Sequence, residues 1–335
     1  MTRRSTLFTA VVAVALTARA FTQAPPAPRA PDPGGRTWSA TGDLHAFHVQ
    51  GKVWLIVGAG GNVVVQTGDD GVLVVDTGMS QHATKLLAEI RKLSDRTIRW
   101  IVNTHVHADS TGGNETIAGA GSVLQGGPAG ALAGAPATII AHENVLTRMS
   151  APSGKESSRP AAAWPTDSYV NDEKDIFFNG EPVMMYHDAA AHTDGDSIVF
   201  FRRSDVIAAG GILMLGSYPV IDQATGGSVQ GILNGLNRIL DLAVPAHEQE
   251  GGTYIVPGQG RVCDEADVLE YRDMVTIVRD RIQDMAKRGL TLDQVKAARP
   301  TLDYERHYGA DSGPWTTAQF IEAVYKDVTR TPAKK

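Results

Sequence analysis

The chain has 335 residues, a formal net charge of −6, a pI near 5.9 and a single cysteine, Cys263. That length is enough for one large or two ordinary domains with a well-buried core. The acidic balance, with no long basic run, offers phosphates no electrostatic footprint, so the expected partner is a small-molecule substrate and not a nucleic acid. One cysteine excludes an internal disulfide framework and a cysteine-rich metal site, which leaves histidine and carboxylate to hold any metal.

At the N-terminus, Arg3 and Arg4 precede an apolar stretch over residues 7–18, and small residues follow at Ala20 and Ala24. The pattern predicts a signal peptide over residues 1–24, a periplasmic or secreted mature chain, and no stable membrane anchor after cleavage. The paired arginines are a weak pointer to the twin-arginine route. Residues 25–37, rich in Pro, Ala and Gly, read as a flexible linker, and the folded part is expected from Trp38.

Short Val- and Ile-rich runs over residues 53–57, 62–66 and 72–76 alternate with Gly/Asp turns and predict a meander of strands. Leu86, Leu87, Ile90 and Leu93 recur at helical spacing, giving an amphipathic helix that ends before a strand over 98–103. Residues 119–137 are mostly Gly and Ala and read as a surface loop near a pocket, leading into a strand over 138–141. Further strands are expected within 175–207, including 182–186 and 197–201, then a helix over 228–242 and a strand over 253–256. From about residue 264 the pattern turns helical, first over 266–287 and then behind the capping patterns Thr291-x-x-Gln294 and Thr316-x-x-Gln319. This helical C-terminal extension, residues 263–335, either covers the core or pairs with a second copy. Periodicity leaves both open, so an oligomer is possible.

The strongest chemical signal is Asn103-Thr-His105-Val-His107-Ala-Asp109-Ser-Thr-Gly-Gly-Asn114, directly after a predicted strand. Residues two apart in an extended segment point the same way, so His105 and His107 can converge on one ion before the chain turns at Gly112-Gly113. His192, in Ala190-Ala-His192-Thr-Asp-Gly-Asp196, sits between two predicted strands where a loop can deliver it to the same point. Three neutral imidazoles make a good zinc site with a fourth position left for water. On the residues alone, the H-x-H pair also reads as two exposed surface histidines.

Taken with its context, His105-x-His107-x-Asp109 followed by Thr111-Gly-Gly-Asn114 resembles the signature of the metallo-β-lactamase superfamily. Asp69-Asp-Gly71-Val-Leu-Val-Val-Asp76-Thr-Gly78 resembles that family's opening strand and turn, and His192-Thr-Asp-Gly-Asp196-Ser its third metal-ligand motif. Tyr218-Pro-Val-Ile-Asp222 and Val256-Pro-Gly-Gln-Gly260 resemble later landmarks in the expected order. The resemblance covers residues 38–262. It implies an α/β fold, a four-layer αβ/βα sandwich with the metal site at one edge of two sheets.

The chain also departs from the family pattern. Dinuclear relatives carry a histidine where this sequence has Ser110, a bridging aspartate where it has Gly211, and a histidine where it has Gln259. The resemblance therefore implies one Zn2+ at His105, His107 and His192, with Asp109 the only remaining residue of a second, weak or absent, metal site. It further implies hydrolysis of an amide or ester, with a β-lactam or lactone plausible. Asp109 would orient water or relay its proton, and Ser110 or Gln259 would donate a hydrogen bond to the oxyanion. A turn-stabilising role competes for Asp109. A catalytically silent relative that binds a ligand or partner competes for the whole chain, whereas an iron oxygenase is disfavoured by the glycine at 211.

Among the remaining residues, His142 at a strand end reads as structural more readily than functional, and His187 and His247 carry less signal still. Asp76 is expected at a turn or behind the site, Asp194 and Asp196 are expected to orient His192, and Trp54 reads as core or cleft lining. Cys263 is expected as a buried or partly buried thiol.

Overall fold

The computed structural model describes residues 41–122, 135–153, 156–157 and 159–330. The expected signal peptide, the linker and most of the 119–137 loop lie outside them.

The chain first builds an antiparallel meander, β1 (Thr41–Gln50), β2 (Val53–Ala59), β3 (Val63–Gly68) and β4 (Gly71–Val75). Helix α1 (Ala83–Leu93) then crosses over to β5 (Ile98–Val102), which pairs parallel with β4. Two short helices follow, α2 (Ala108–Thr111) and α3 (Asn114–Gly119), then β6 (Thr138–His142), α4 (Glu143–Ser150), a minimal hairpin of β7 (Pro152–Ser153) and β8 (Glu156–Ser157), and β9 (Asp167–Tyr169). The first sheet has the order β1-β2-β3-β4-β5-β6-β9.

The second sheet comprises β10 (Glu173–Phe178), β11 (Glu181–Asp188), β12 (Asp196–Phe201), β13 (Val206–Met214) and, after α5 (Val229–Leu242), β14 (Tyr254–Gln259). It is antiparallel except for the parallel pairing of β13 with β14. The chain closes with α6 (Glu265–Lys287), α7 (Leu292–Ala297), α8 (Glu305–Tyr308) and α9 (Thr317–Thr329).

Three packed cores explain the layering. Leu55, Leu73, Val75, Val102 and Ile140 of the first sheet meet Val183, Met185, Val199, Phe201 and Val256 of the second. The other face of the first sheet, with Val63, Val65, Val72 and Val74, packs on Leu86 and Ile90 of α1 and Ile117 of α3. The outer face of the second sheet packs on α5, α6 and α9 through Leu236, Tyr271, Val278 and Phe320. The result is an αβ/βα sandwich in which β4, β12 and β13 are buried on both faces, and their near-continuous apolar sequences follow from that. The C-terminal helices share their core with β12, β13 and α5, and both expected capping boxes form, Thr291 with Gln294 and Thr316 with Gln319. Cys263 is fully buried and its backbone pairs with Ile255.

Two parts depart from the sequence reading. β1 is a strand whose His45, His48 and Asp43 dilute the apolar alternation, so no run of Val and Ile announces it. The segment after His107, read from the sequence only as a turn at Gly112-Gly113, forms α2 and α3, and Gly113 between them packs directly on the chain at Thr77. A Cβ there would lie 2.4 Å from the Thr77 carbonyl oxygen.

His142 and His187, at the ends of facing strands, stack with ring centroids 3.5 Å apart and planes 4° from parallel. Burial, then the neighbouring His187, lowers His142 from 6.5 to about 4, against the pull of Asp194 and Asp172, and burial lowers His187 as well. A depressed imidazole favours the neutral folded form. Its contribution is complete above about pH 6.5 and is lost as pH falls towards 4, because only the unfolded chain takes up the proton freely. Metal-free protein is expected to lose roughly 1–2 kcal/mol of unfolding free energy between pH 7.5 and 4.5 through the stacked His142–His187 pair, solvent screening part of the full effect. Denaturant titrations of the wild type and of His142→Gln at the two pH values check this, the variant showing the smaller pH dependence.

Candidate metal centre

The loop after β5 is clasped by the first and last residues of its own motif. Asn103 Nδ2 donates to Asn114 Oδ1 (3.0 Å) and to the Ser110 carbonyl (3.1 Å), and Asn114 Nδ2 donates back to Asn103 Oδ1 (2.8 Å). Beneath it lies Asp76, buried and left-handed at φ 61°. Its carboxylate accepts from Thr104 N (2.8 Å), from Thr104 Oγ1 (2.7 Å) and from the Ser110 hydroxyl. Burial pushes this carboxyl up to about 6, against His105 and the Ser110 and Thr104 hydrogen bonds.

Three imidazoles converge above this frame. His105 and His107 leave the loop, and His192 arrives from the β11–β12 connection. Their ring centroids are 4.7–5.2 Å apart and their planes cross at 70–82°. One ring nitrogen from each lies within 4.8 Å of the other two.

The remaining nitrogen of every ring is held by an oxygen: His105 Nδ1 lies 3.0 Å from Thr104 Oγ1, His107 Nε2 lies 2.9 Å from Asp222 Oδ2, and His192 Nδ1 lies 2.7 Å from the Val220 carbonyl. A carbonyl and a carboxylate accept only, and the Thr104 hydroxyl has given its proton to Asp76, so all three outer nitrogens are the N–H bearers. That places lone pairs on His105 Nε2, His107 Nδ1 and His192 Nε2, all turned inward. The last two are 2.8 Å apart with no proton left to share, and His105 Nε2 is buried without a hydrogen-bond partner. Inward lone pairs backed by outer oxygens are the arrangement a metal-binding histidine needs, and these residues fit a cation.

The electrostatics favour positive charge at the same point. Burial opposes a charge on His105, yet Asp109, Asp196 and Asp76 outweigh it and draw its pKa up to about 9, so in the metal-free chain the inward Nε2 also carries a proton, which a bound cation would displace. His192 is lowered to about 3 by burial and by the other two imidazoles. Asp109, on α2, stands with Oδ1 3.6 Å from His105 Nε2 and its side chain 21% exposed. Burial raises it, but His105 and the other two histidines hold its carboxyl well below the usual carboxylate range.

Several expected roles are corrected. Ser110 is 1% exposed and its hydroxyl is committed to Asp76 beneath the loop. Asp194 pairs with Arg148 and Asp196 accepts from Thr193, so neither orients His192. Val220 does that instead. Gln259, at the end of β14, makes only a 3.5 Å contact with the Gly60 carbonyl. Trp54 is partly buried against His48, and His142 caps α4 through Asn144 N.

The site also depends on residues sequence reasoning gave no role. Thr104 is inside the motif. Asp222 and Val220 belong to a landmark segment, and the signal that finds them is the need of each metal-bound imidazole for an oxygen behind it. That segment rests on the C-terminal helices: Gln223 Nε2 donates to the Ala323 carbonyl (3.0 Å), Tyr218 N to the Tyr308 carbonyl (3.3 Å), and the Tyr218 ring stacks on Phe320 at 4.5 Å. Asp222→Ala is expected to weaken metal binding about 10–100-fold, as loss of an outer-shell partner does, without unfolding the chain. Competition with a chromogenic chelator, alongside circular dichroism, measures both.

Residues 56–247 match the family model described as the metallo-beta-lactamase superfamily, and the chain belongs to that superfamily. Among solved structures, it is similar to a metallo-beta-lactamase from Pontibacter korlensis, at 16% identity and a TM-score of 0.52, over 70% of this chain and 99% of that one. It is also similar to the stereoselective inverting sec-alkylsulfatase Pisa1 from Pseudomonas sp., at 16% identity and a TM-score of 0.61, over 84% of this chain and 50% of that one. Residues 1–262 amount to less than that share, so the likeness to the alkylsulfatase reaches into the C-terminal helices. No curated protein sequence matches the chain. Identities this low carry the fold and nothing finer.

Proposed function

We propose that the chain is an exported zinc-dependent hydrolase that opens an amide or ester bond, β-lactams and lactones included, at a site for one metal ion. The observation that carries this reading is the set of three inward lone pairs, each backed by an oxygen on the far nitrogen. Three neutral imidazoles suit zinc, which when bound supplies Lewis acidity and brings the pKa of water down to about 7.

The chain's own residues do the rest. Asp109, held ionised and open to solvent on one side, orients the attacking water and accepts its proton on a carboxylate oxygen. Gln259, with its amide only weakly engaged, is the donor available to a developing oxyanion. Thr104, Asp222 and Val220 fix the three rings so that no reorganisation is needed during turnover. Support for a single ion comes from the second-site positions: Ser110 is tied to Asp76, and the His192 ring lies directly on Gly211.

Protein purified without chelator is expected to carry about one zinc per chain and to turn over part of a panel of chromogenic lactams, lactones and thioesters, with activity removed by chelator and restored by zinc. Asp109→Asn is expected to keep its metal and lose about 10²–10⁴ in kcat. Absence of both metal and turnover overturns the proposal in favour of a silent ligand-binding relative.

A further inference from the structure

The connection between β2 and β3 is the short turn Gly60-Gly61-Asn62. It lies against both segments that carry the chemistry, since a Cβ on Gly61 would stand 3.4 Å from the Asp109 carbonyl oxygen and 3.5 Å from the Gly258 carbonyl oxygen. Asn62 holds the second of these segments. Its Nδ2 donates to the Pro257 carbonyl (2.8 Å) and to the Gly260 carbonyl (2.9 Å), and its backbone N donates to the Gly258 carbonyl (2.8 Å). Leu215 N, just past β13, donates to the carbonyl of Gln259 itself (3.0 Å). Every carbonyl from 257 to 260 is therefore engaged, and Asn62 takes all but one of them. A proline and two glycines fill the other positions, so Gln259 has the only side chain in the stretch with polar atoms. That amide is left with a long 3.5 Å contact to the Gly60 carbonyl. A fixed backbone thus carries one loosely engaged donor.

We propose that Asn62 is a positioning residue, which fixes where the Gln259 amide is presented and how far it stands from Asp109. A primary amide has two N–H donors, and here they serve two carbonyls, one on each side of Gln259 in the chain. The loop therefore cannot turn about one of these bonds without breaking the other. A hydroxyl has one proton to give, and a carboxylate has none, so the residue type matters as well as its size. The catalytic consequence rests on the hydrolase reading, in which Gln259 donates to the oxyanion. The anchoring of the loop does not, because it is made of hydrogen bonds that need neither metal nor substrate.

The test is a double-mutant cycle of Asn62→Ala and Gln259→Ala in the full, zinc-loaded chain, with p-nitrophenyl acetate and a chromogenic cephalosporin as probes. Asn62→Ala is expected to lower kcat about 10–100-fold while KM changes less than about threefold and zinc affinity is kept. In the Gln259→Ala background the same substitution is expected to lower kcat less than about threefold, because the group it positions is gone. Asn62→Ser, with one donor in place of two, should fall between, and it carries the same cycle if the alanine variant does not fold. A loss of equal size in both backgrounds, or an undiminished kcat in the single variant, overturns the proposal. Hydrogen exchange followed by mass spectrometry on the metal-free chain supplies a readout without turnover. Residues 254–263 are expected to exchange faster in the Asn62 variant than in the wild type, and unchanged exchange there also overturns the proposal. If the wild type turns over neither probe, the hydrolase reading fails, and the exchange result alone decides whether Asn62 anchors the loop.

Discussion

Replacing His192 by alanine is expected to strip the protein of its metal ion and of all but residual turnover. The ring is 2% exposed and presents Nε2 towards His107 Nδ1 while its Nδ1–H satisfies the Val220 carbonyl. Removing it takes away one of three imidazoles and leaves the part-buried Val220 carbonyl without its donor. The loss of zinc affinity should exceed the roughly 10–100-fold that follows removal of an outer partner. Chelator competition measures the affinity. Thermal melts supply a second readout: zinc at a hundred times its dissociation constant stabilises a folded protein by about 2.7 kcal/mol, and this increment should vanish in the variant. A His192→Ala protein that still holds one zinc per chain would show that the cluster is not the metal site.

Restoring the aspartate that dinuclear relatives carry should fail here, and should damage the first site. The Cβ of Gly211→Asp would lie 2.4 Å from His192 Cδ2, 2.9 Å from Cγ and 3.2 Å from Nε2, closer than non-bonded atoms approach. Gly211 is not among the positive-φ positions, so the conflict is one of space and not of backbone conformation. Either the β13 backbone shifts or the ring turns, and overpacking of this kind costs about 1–3 kcal/mol. A turned ring loses the Val220 hydrogen bond, so zinc affinity should fall by about tenfold or more. The triple variant Ser110→His, Gly211→Asp, Gln259→His is expected to bind no second ion tightly, since the buried Ser110 position is already filled by its contact with Asp76. Metal stoichiometry by plasma emission, with denaturant melts, decides it. Two tightly bound ions would mean that His192 yields, and that the glycine is not what limits the site.

Much of the centre could be read from the sequence because its ligands sit in a short motif whose geometry is local. His105 and His107 are two residues apart after a strand, and the Gly-Gly turn follows them. His192 is remote, and its place in a loop between two predicted strands made it a candidate that the resemblance to a family then joined to the pair. The oxygens behind the rings were harder, since Val220 acts through its backbone and any residue supplies a carbonyl. Asp194 and Asp196 looked better placed for that role by sequence proximity, but Arg148 and Thr193 engage them. Ser110 was misread for a related reason. Its neighbour in the sequence faces His105, whereas on the short helix α2 the hydroxyl points down to Asp76, which is 34 residues earlier. The sandwich core was legible from runs of Val and Ile. β1 was not, because its polar residues interrupt the alternation.

The perch of the Val220–Asp222 segment on α9 has a wider consequence. Two of the three outer oxygens are carried by a stretch of chain that stacks Tyr218 on Phe320 and bonds Gln223 to Ala323. Residues 265–329 therefore act as a keel for the hull that carries the imidazole cluster. Changes accumulating on the hidden side of α9, far from any reacting atom, would tune how firmly two imidazoles are held, and selection on catalysis reaches the tail of the molecule through that linkage.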